Sequence, residues 1–285
     1  MLSYRHAFHA GNHADALKHL VLTHVLQHAA QKDKPLWYID THAGAGKYAL
    51  DQGYAMKNAE FANGIARLWD DPQLPPALAE YVALVKKLNA QALKHYPGSP
   101  AFALQQLRSQ DRLHLFELHP NDHRLLQQCL KAAAHLPASR KAAVHATDGF
   151  SGLKGLLPPT PRRAIVLIDP PYEQKQDYKR VVTAIKEGLQ RFATGTYIIW
   201  YPLLQRPEPL NMLNQLAKLQ PMSWLNVTLS VHAPAPDGFG MHGSGVLVIN
   251  PPWTMPSMLT ETMPYLVDAL AQDDSARYTL DSQIP

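Results

Sequence analysis

Cysteine is almost absent: Cys129 is the one thiol in 285 residues. That excludes an internal disulfide and a cysteine-based zinc module. Long hydrophobic runs are missing too, and nothing approaches the ~18 consecutive apolar residues of a membrane span. The first residues carry histidines at 6, 9, 13, 19 and 24 and lack the apolar stretch of a signal peptide, so a cytoplasmic protein without a membrane partner is expected. Charge is sparse, at 18% of residues, and Lys+Arg 27 against Asp+Glu 23 leaves +4 with 15 histidines beside it. Such a mild excess permits a nucleic-acid partner without requiring one. There are no internal repeats or low-complexity tracts. What remains is 46% hydrophobic, enough for a packed core and incompatible with wholesale disorder. The length allows one large domain or two small ones.

Along the chain, Asn12 is placed to cap a helix over 13–30 with Leu17, Leu20, Val21 and Val25 on one face. Lys34-Pro35 breaks it, and 36–40 reads as a buried strand followed by the small-residue turn His42-Ala43-Gly44-Ala45-Gly46. The stretch 50–96 departs from this rhythm: prolines punctuate it and only 77–94 carries helical spacing. A regular alternation then begins. Ser99-Pro100 starts a helix; strands are expected at 113–117, 143–147, 164–168, 196–200, 224–231 and 246–249, and helices at 121–134, 178–191 and 208–219. Strands alternating with helices predict a mostly parallel α/β sheet covered on both faces, the last two strands pairing antiparallel at one edge. Ligands of such sheets bind at the carboxyl ends of the strands.

Gly44 and Gly46 therefore mark a place where backbone must approach a ligand. A nucleoside-triphosphate loop is disfavoured, since position 41 is Thr and Lys47 precedes Tyr48 rather than Ser or Thr. A dinucleotide loop fits locally, but it needs an acid ending a second strand about 20 residues on, and that position falls in the irregular stretch. If 50–96 is an insertion, Glu117 becomes the acid at the second strand tip, placed to hold two ribose hydroxyls. Asp148-Gly149 at the third tip would reach an adenine edge. Asp169-Pro170-Pro171-Tyr172 ends the fourth strand and faces the same crevice. A carboxylate and the Pro170 carbonyl there suit the two N–H bonds of an aromatic amine, with Tyr172 offering a face to a base taken out of its stack. Asn250-Pro251-Pro252-Trp253 imitates the motif, but at the end of an antiparallel strand it would point away from the crevice. His24 and His28 have metal-ligand spacing without a suitable third ligand, and no metal site is expected.

With its Asp-Pro-Pro-Tyr motif the chain resembles class I S-adenosylmethionine-dependent methyltransferases that act on exocyclic amines. More narrowly it resembles the RlmJ family of bacterial 23S ribosomal RNA adenine-N6 methyltransferases. The motifs that carry this are Leu2 to His6, His9 to Asp15, Leu17-Lys18-His19, Asp40 to Gly46, Tyr96 to Pro100, Glu117 to Pro120, Asp148-Gly149-Phe150, Ile168 to Tyr172, Trp200-Tyr201-Pro202 and Asn250 to Trp253. The match covers nearly the whole chain and weakens after about 255. It implies a Rossmann-like fold with a seven-stranded, mostly parallel sheet, an antiparallel edge strand and a small helical insertion at 50–96. It makes 1–285 a single domain with an N-terminal arm at 1–12.

The resemblance further implies S-adenosylmethionine contacts at His19, His42, Ser99, Glu117, Asp148, Gly149 and Asp169, beside the turn at Gly44 and Gly46. It implies catalysis at Asp169, and substrate contact from Tyr4, with His6 and Lys18 beside the site and Pro170 and Tyr172 from the motif. 23S ribosomal RNA is the expected partner, held by scattered basic residues such as Lys18, Arg162, Arg163, Lys179 and Arg180. The oligomeric state stays open, with a monomer preferred. A guanine-N2 methylator, a non-catalytic RNA-binding protein on the same fold and, resting on the glycine turn alone, a nicotinamide oxidoreductase are the alternatives.

Overall fold

The strand runs split their apolar residues between two faces, and this organises the molecule. The computed structural model describes residues 6–51 and 55–284. In chain order, α1 (His13–Ala30) leads to β1 (Trp37–Asp40) and β2 (Lys47–Ala49). An excursion follows through α2 (Ala55–Asn58), α3 (Ile65–Trp69) and α4 (Pro76–Lys86), and β3 (His95–Pro97) brings the chain back. Next come α5 (Ser99–Gln106), β4 (Arg112–Phe116), α6 (Pro120–Ala132), β5 (Ala142–His145), α7 (Gly149–Leu156) and β6 (Ala164–Ile168). The rest comprises α8 (Lys175–Arg191), β7 (Thr196–Leu203), α9 (Pro207–Ala217), β8 (Trp224–Ser230), β9 (Gly243–Ile249), α10 (Met255–Leu270) and β10 (Arg277–Gln283).

The main sheet has the order β10-β8-β9-β7-β6-β1-β4-β5. The pairs among β5, β4, β1, β6 and β7 are parallel, and those of β9 with β7 and β8, and of β10 with β8, are antiparallel. The count is thus eight rather than the expected seven. β8 and β9 pair antiparallel as expected, but β9 sits between β7 and β8, and β10 forms the outer edge. The sequence conceals β10 because only its Tyr278 and Leu280 pack on the core and the strand is otherwise mostly exposed, as a charged edge strand should be. α10 is hidden by Pro256 and Pro264, and α7 by its glycines. A Cβ on Gly152 would stand 2.1 Å from the Phe116 ring, so this glycine lets α7 lie directly on β4.

Alternate strand residues enter opposite layers. Tyr38, Leu115, Ile165, Leu167 and Ile198 face the layer of α1, α5 and α10, while Ile39, Phe116, Val166, Ile168 and Ile199 face that of α7, α8 and α9. Asn12 caps α1 as expected, its Oδ1 accepting from the backbone of Ala14 and Asp15 at 3.0 Å. α1 does not show a single buried face, however. It packs against α4, α5 and β9, and most of it from His13 to Leu26 is buried. The excursion grips the chain ahead of α1: Glu60 accepts from His9 Nδ1 at 2.9 Å and from Asn12 Nδ2 at 2.9 Å, and Ile65 N–H donates to Gly11 O at 2.8 Å.

Candidate active site

Because β1, β4, β5, β6 and β7 run parallel, their carboxyl ends gather along one rim. Asp40 at the end of β1 lies in register with Leu115 and Leu167, and Thr41 N–H donates to Leu167 O at 3.1 Å. The segments after β1, β4, β5 and β6 therefore meet, and they enclose a cavity lined by His19, His42, Gly44, Ser99, Glu117, Asp148, Gly149 and Asp169 among others. The left-handed backbone at Gly44 (φ 61°) suits glycine, and its N–H donates to Glu117 Oε2 at 2.9 Å. The other oxygen of Glu117 accepts the His119 N–H at 2.7 Å. Burial pushes Glu117 up to about 7 against the pull of these two amides. Gly149 approaches so closely that a Cβ there would lie 2.0 Å from Thr41 O.

Asp40 is fully buried and takes Ser99 Oγ at 2.7 Å and Tyr38 Oη at 2.9 Å. Its own acidity is weakened by burial, to about 6. Ser99 is the first residue of α5 rather than its cap, a position that Gly98 occupies, and the Ser99 hydroxyl is anchored to Asp40. At the far end, Asp148 caps α7 through Ser151 N–H at 2.9 Å and pairs with Arg180. Arg180 lies 4.4 Å from the centre of the Phe150 ring, which meets the His42 ring edge-on at 4.9 Å. Burial pushes His42 down to about 4, so at neutral pH its ring is uncharged.

A second cavity lies across Asp169, lined by His6, Asp15, Lys18, Pro171, Tyr172, Trp200, Pro202 and Met241 among others. Asp169, Lys18, His6 and Pro171 border both cavities. Lys18 Nζ reaches Asp169 Oδ2 at 2.7 Å and Asp15 Oδ1 at 2.8 Å, and it lies 5.9 Å from the Trp200 ring centre. Burial works against the charge on Lys18, but the two carboxylates outweigh it and hold the ammonium above its usual range. Asp15 is likewise held well below the carboxylate range, against its burial, chiefly by His6 and Lys18.

Most of the expected site residues come together, with several departures. Tyr4 lies outside the described residues. Gly46 does not line the cavity; a Cβ there would meet Leu126 and Cys129 of α6. Pro170 is buried, and Pro171 is the proline that lines both cavities. Tyr172 is 6% exposed, with its hydroxyl donating to Trp200 O at 2.7 Å and its ring against Tyr178 and Trp200. Trp200 is the larger aromatic beside it. Of the basic residues expected to face RNA, Lys18 is buried, Arg180 is paired with Asp148, and Arg163 binds the carbonyls of Ala29 and Lys34, bracing the turn before β1. Asn250 points away from the rim, as expected: its Nδ2 donates to Ala193 O and Gly195 O at the opposite edge. Asp15, Asp40, Phe150 and Trp200 stand in the family motifs, but the sequence assigns none of them a role. An acid ending β1 and one placed three before Lys18 were the available signals.

The model of the family described as "Ribosomal RNA large subunit methyltransferase D, RlmJ" matches residues 33–282. The chain belongs to the RlmJ family. It is 44% identical to ribosomal RNA large subunit methyltransferase J of Haemophilus influenzae, over 99% of this chain and 98% of that protein. It is also 44% identical to the Escherichia coli protein of the same name, over 100% of both. The crystal structure of protein LPL1258 from Legionella pneumophila has a TM-score of 0.88 at 38% identity, covering 96% of this chain and 98% of that one. RlmJ proteins are methyltransferases that use S-adenosylmethionine, and the first cavity fits that group on its own chemistry. It presents a buried imidazole nitrogen without a protein partner at His19 Nε2, a half-buried acid at Glu117 and the His42 ring, against which Phe150 packs.

Proposed function

We propose that this chain transfers a methyl group from S-adenosylmethionine to the N6 amine of an adenine in 23S ribosomal RNA. The observation that carries the proposal is the position of Asp169 on the wall common to the two cavities, one suited to the methyl donor and the other to a base. On the donor side Glu117 would accept the ribose hydroxyls, while His42 and Asp148 would frame the adenine, with Arg180 holding Asp148 and Phe150 packed against the His42 ring. Bound there, the donor supplies an electrophilic methyl on a sulfonium.

On the other side Trp200, Tyr172 and Pro171 form the walls for a base taken out of its stack. Lys18 fixes Asp169 Oδ2 and leaves Oδ1 to accept an N–H of the adenine amine. The Pro170 carbonyl would take the second N–H, and Pro170 has no N–H of its own to compete. With both hydrogens held, the nitrogen's lone pair would be directed toward the donor cavity; a C–N bond would form as the donor's C–S bond breaks and leaves a neutral thioether, and the methylated amine would release one proton to water. The arrangement matters most as the nitrogen changes geometry, so its effect falls on turnover.

The test is to incubate the protein with radiolabelled methyl donor and ribosomal RNA from cells lacking this enzyme, then digest the RNA to nucleosides. Label in N6-methyladenosine is expected. Label in N2-methylguanosine would establish the guanine reading, and binding of RNA without label would establish a non-catalytic role.

A further inference from the structure

Tyr81, in the excursion, and Tyr96, on the strand that closes it, form a hydrogen-bonded chain leading into the first cavity. Tyr81 Oη lies 2.9 Å from Tyr96 Oη, which lies 2.7 Å from His19 Nδ1. Both tyrosines are fully buried and His19 is 1% exposed. The geometry is held by packing: the His19 ring centre is 4.6 Å from that of Phe102, and Phe102 stacks on Tyr81 at 5.7 Å. The other imidazole nitrogen, Nε2, is buried without a protein partner, and His19 lines the cavity.

Burial keeps His19 well below its usual range and therefore uncharged, which leaves two tautomers. Asp15 Oδ1 lies 3.9 Å from Nδ1, beyond hydrogen-bond distance, so the hydroxyl hydrogens decide between them. Were Nδ1 protonated, it would donate to Tyr96, Tyr96 would donate to Tyr81, and the Tyr81 hydrogen would be stranded, since Tyr96 is its one hydrogen-bond partner among the described residues. With Nδ1 bare, Tyr81 donates to Tyr96 and Tyr96 donates to His19, so neither hydroxyl is stranded in the core. The ring hydrogen then sits on Nε2, the buried and unpartnered nitrogen of a residue in the cavity wall.

We propose that Tyr96, backed by Tyr81, holds His19 as an Nε2–H donor toward the carboxylate of the methyl donor, so that these tyrosines are positioning residues of the donor site. The carboxylate is the one anionic group of S-adenosylmethionine, and a neutral N–H in a buried wall is suited to it. The inference rests on the reading of the first cavity as the donor site.

Two measurements on the full chain test it. Nitrogen NMR of histidine-labelled protein, with His19 assigned from His19→Gln, should show the Nε2–H tautomer in the wild type. Calorimetric titration should show Tyr96→Phe weakening donor binding about 3- to 10-fold, with the KM for RNA unchanged. Tyr81→Phe should weaken it less, and the double variant should bind no more weakly than Tyr96→Phe, because Tyr81 acts only through Tyr96. Decarboxylated S-adenosylmethionine should bind the wild type and Tyr96→Phe equally. An Nδ1–H tautomer, losses that add in the double variant, or equal sensitivity of both ligands to Tyr96→Phe would overturn the inference. Failure of the wild type to bind donor overturns the site reading instead, and the wild-type tautomer then still decides the tyrosine chain, as it does if Tyr96→Phe does not fold.

Discussion

Lys18 Nζ stands 2.7 Å from Asp169 Oδ2 while also bonding Asp15, so one buried ammonium joins the end of β6 to the start of α1. Removing it leaves two carboxylates facing each other, one of them 1% exposed. Lys18→Met is expected to lower stability by about 3–5 kcal/mol, the usual result of breaking a buried pair from one side. Asp169→Asn keeps an oxygen for Lys18 and leaves the Asp15 bond intact, so it should lower stability by about 1 kcal/mol or less. Urea unfolding of the two variants checks the contrast.

Asp169 and Glu117 should separate kinetically. Asp169→Ala should nearly abolish turnover even at saturating donor and RNA, with a smaller effect on donor affinity; Asp169→Asn should retain a poor but measurable rate. Glu117→Ala should mainly weaken donor binding, about 10- to 150-fold for the loss of a charged acceptor. Normal turnover by saturated Asp169→Ala would refute the role given to that residue.

Donor affinity should also depend on pH through Glu117. Burial places its titration at about 7, and ribose hydroxyls bind the ionised form better. Affinity is therefore expected to rise from about pH 6 to about pH 8 and then level off. Glu117→Gln should bind more weakly and flatten the profile. Calorimetry across that range decides the point; an equally steep profile in the variant would point to another group.

Phe150→Ala removes the ring that touches both His42 and Arg180. Donor binding should weaken about 3- to 10-fold as His42 and Arg180 lose that support, and Phe150→Tyr should restore most of it. If the tyrosine variant is as weak as the alanine one, the ring does not hold His42 and Arg180 in place.

Acid should destabilise the fold. His13, His24, His42 and His114 are pushed down to about 4, chiefly by burial, whereas histidines of the unfolded chain titrate near ~6.5. Between those values the unfolded chain binds more protons, so the stability present above about pH 6.5 is lost as the pH falls toward about 4. Asp40 and Glu117, pushed up to about 6 and about 7, act in the opposite sense, but they are two groups against four. The urea midpoint should be lower at about pH 5 than at about pH 7, and an increase would show that the histidines are not held neutral.

The rim of the site was legible because its residues stand at strand tips: Glu117, Asp148 and Asp169 each follow an apolar run, and parallel strands carry such tips to one edge. The links between elements were not. Lys18 and Asp169 are 151 positions apart, and the three-residue spacing of Asp15 and Lys18 gives no sign that Asp169 joins them. Arg180 looked like an RNA contact because basic residues on helices are usually solvated, yet Asp148 and Phe150 claim its guanidinium. The extra edge strand escaped for the reason that makes it a good edge: it has little apolar character.

The ribbon of β2 and β3 pairs Lys47 with Pro97 and Ala49 with His95, and Gly98 N–H donates to Gly46 O at 2.9 Å. The chain therefore departs from the cofactor turn and rejoins it at one point, and the excursion is a loop with clamped ends. The entropy of closing such a loop grows only with the logarithm of its length. Extra residues at its exposed tip, Ala90 to Ala92, would lengthen the loop without displacing Gly44 or Ser99. Length is free to vary at that tip, whereas a single residue gained or lost in the ribbon would shift the turn that holds Glu117.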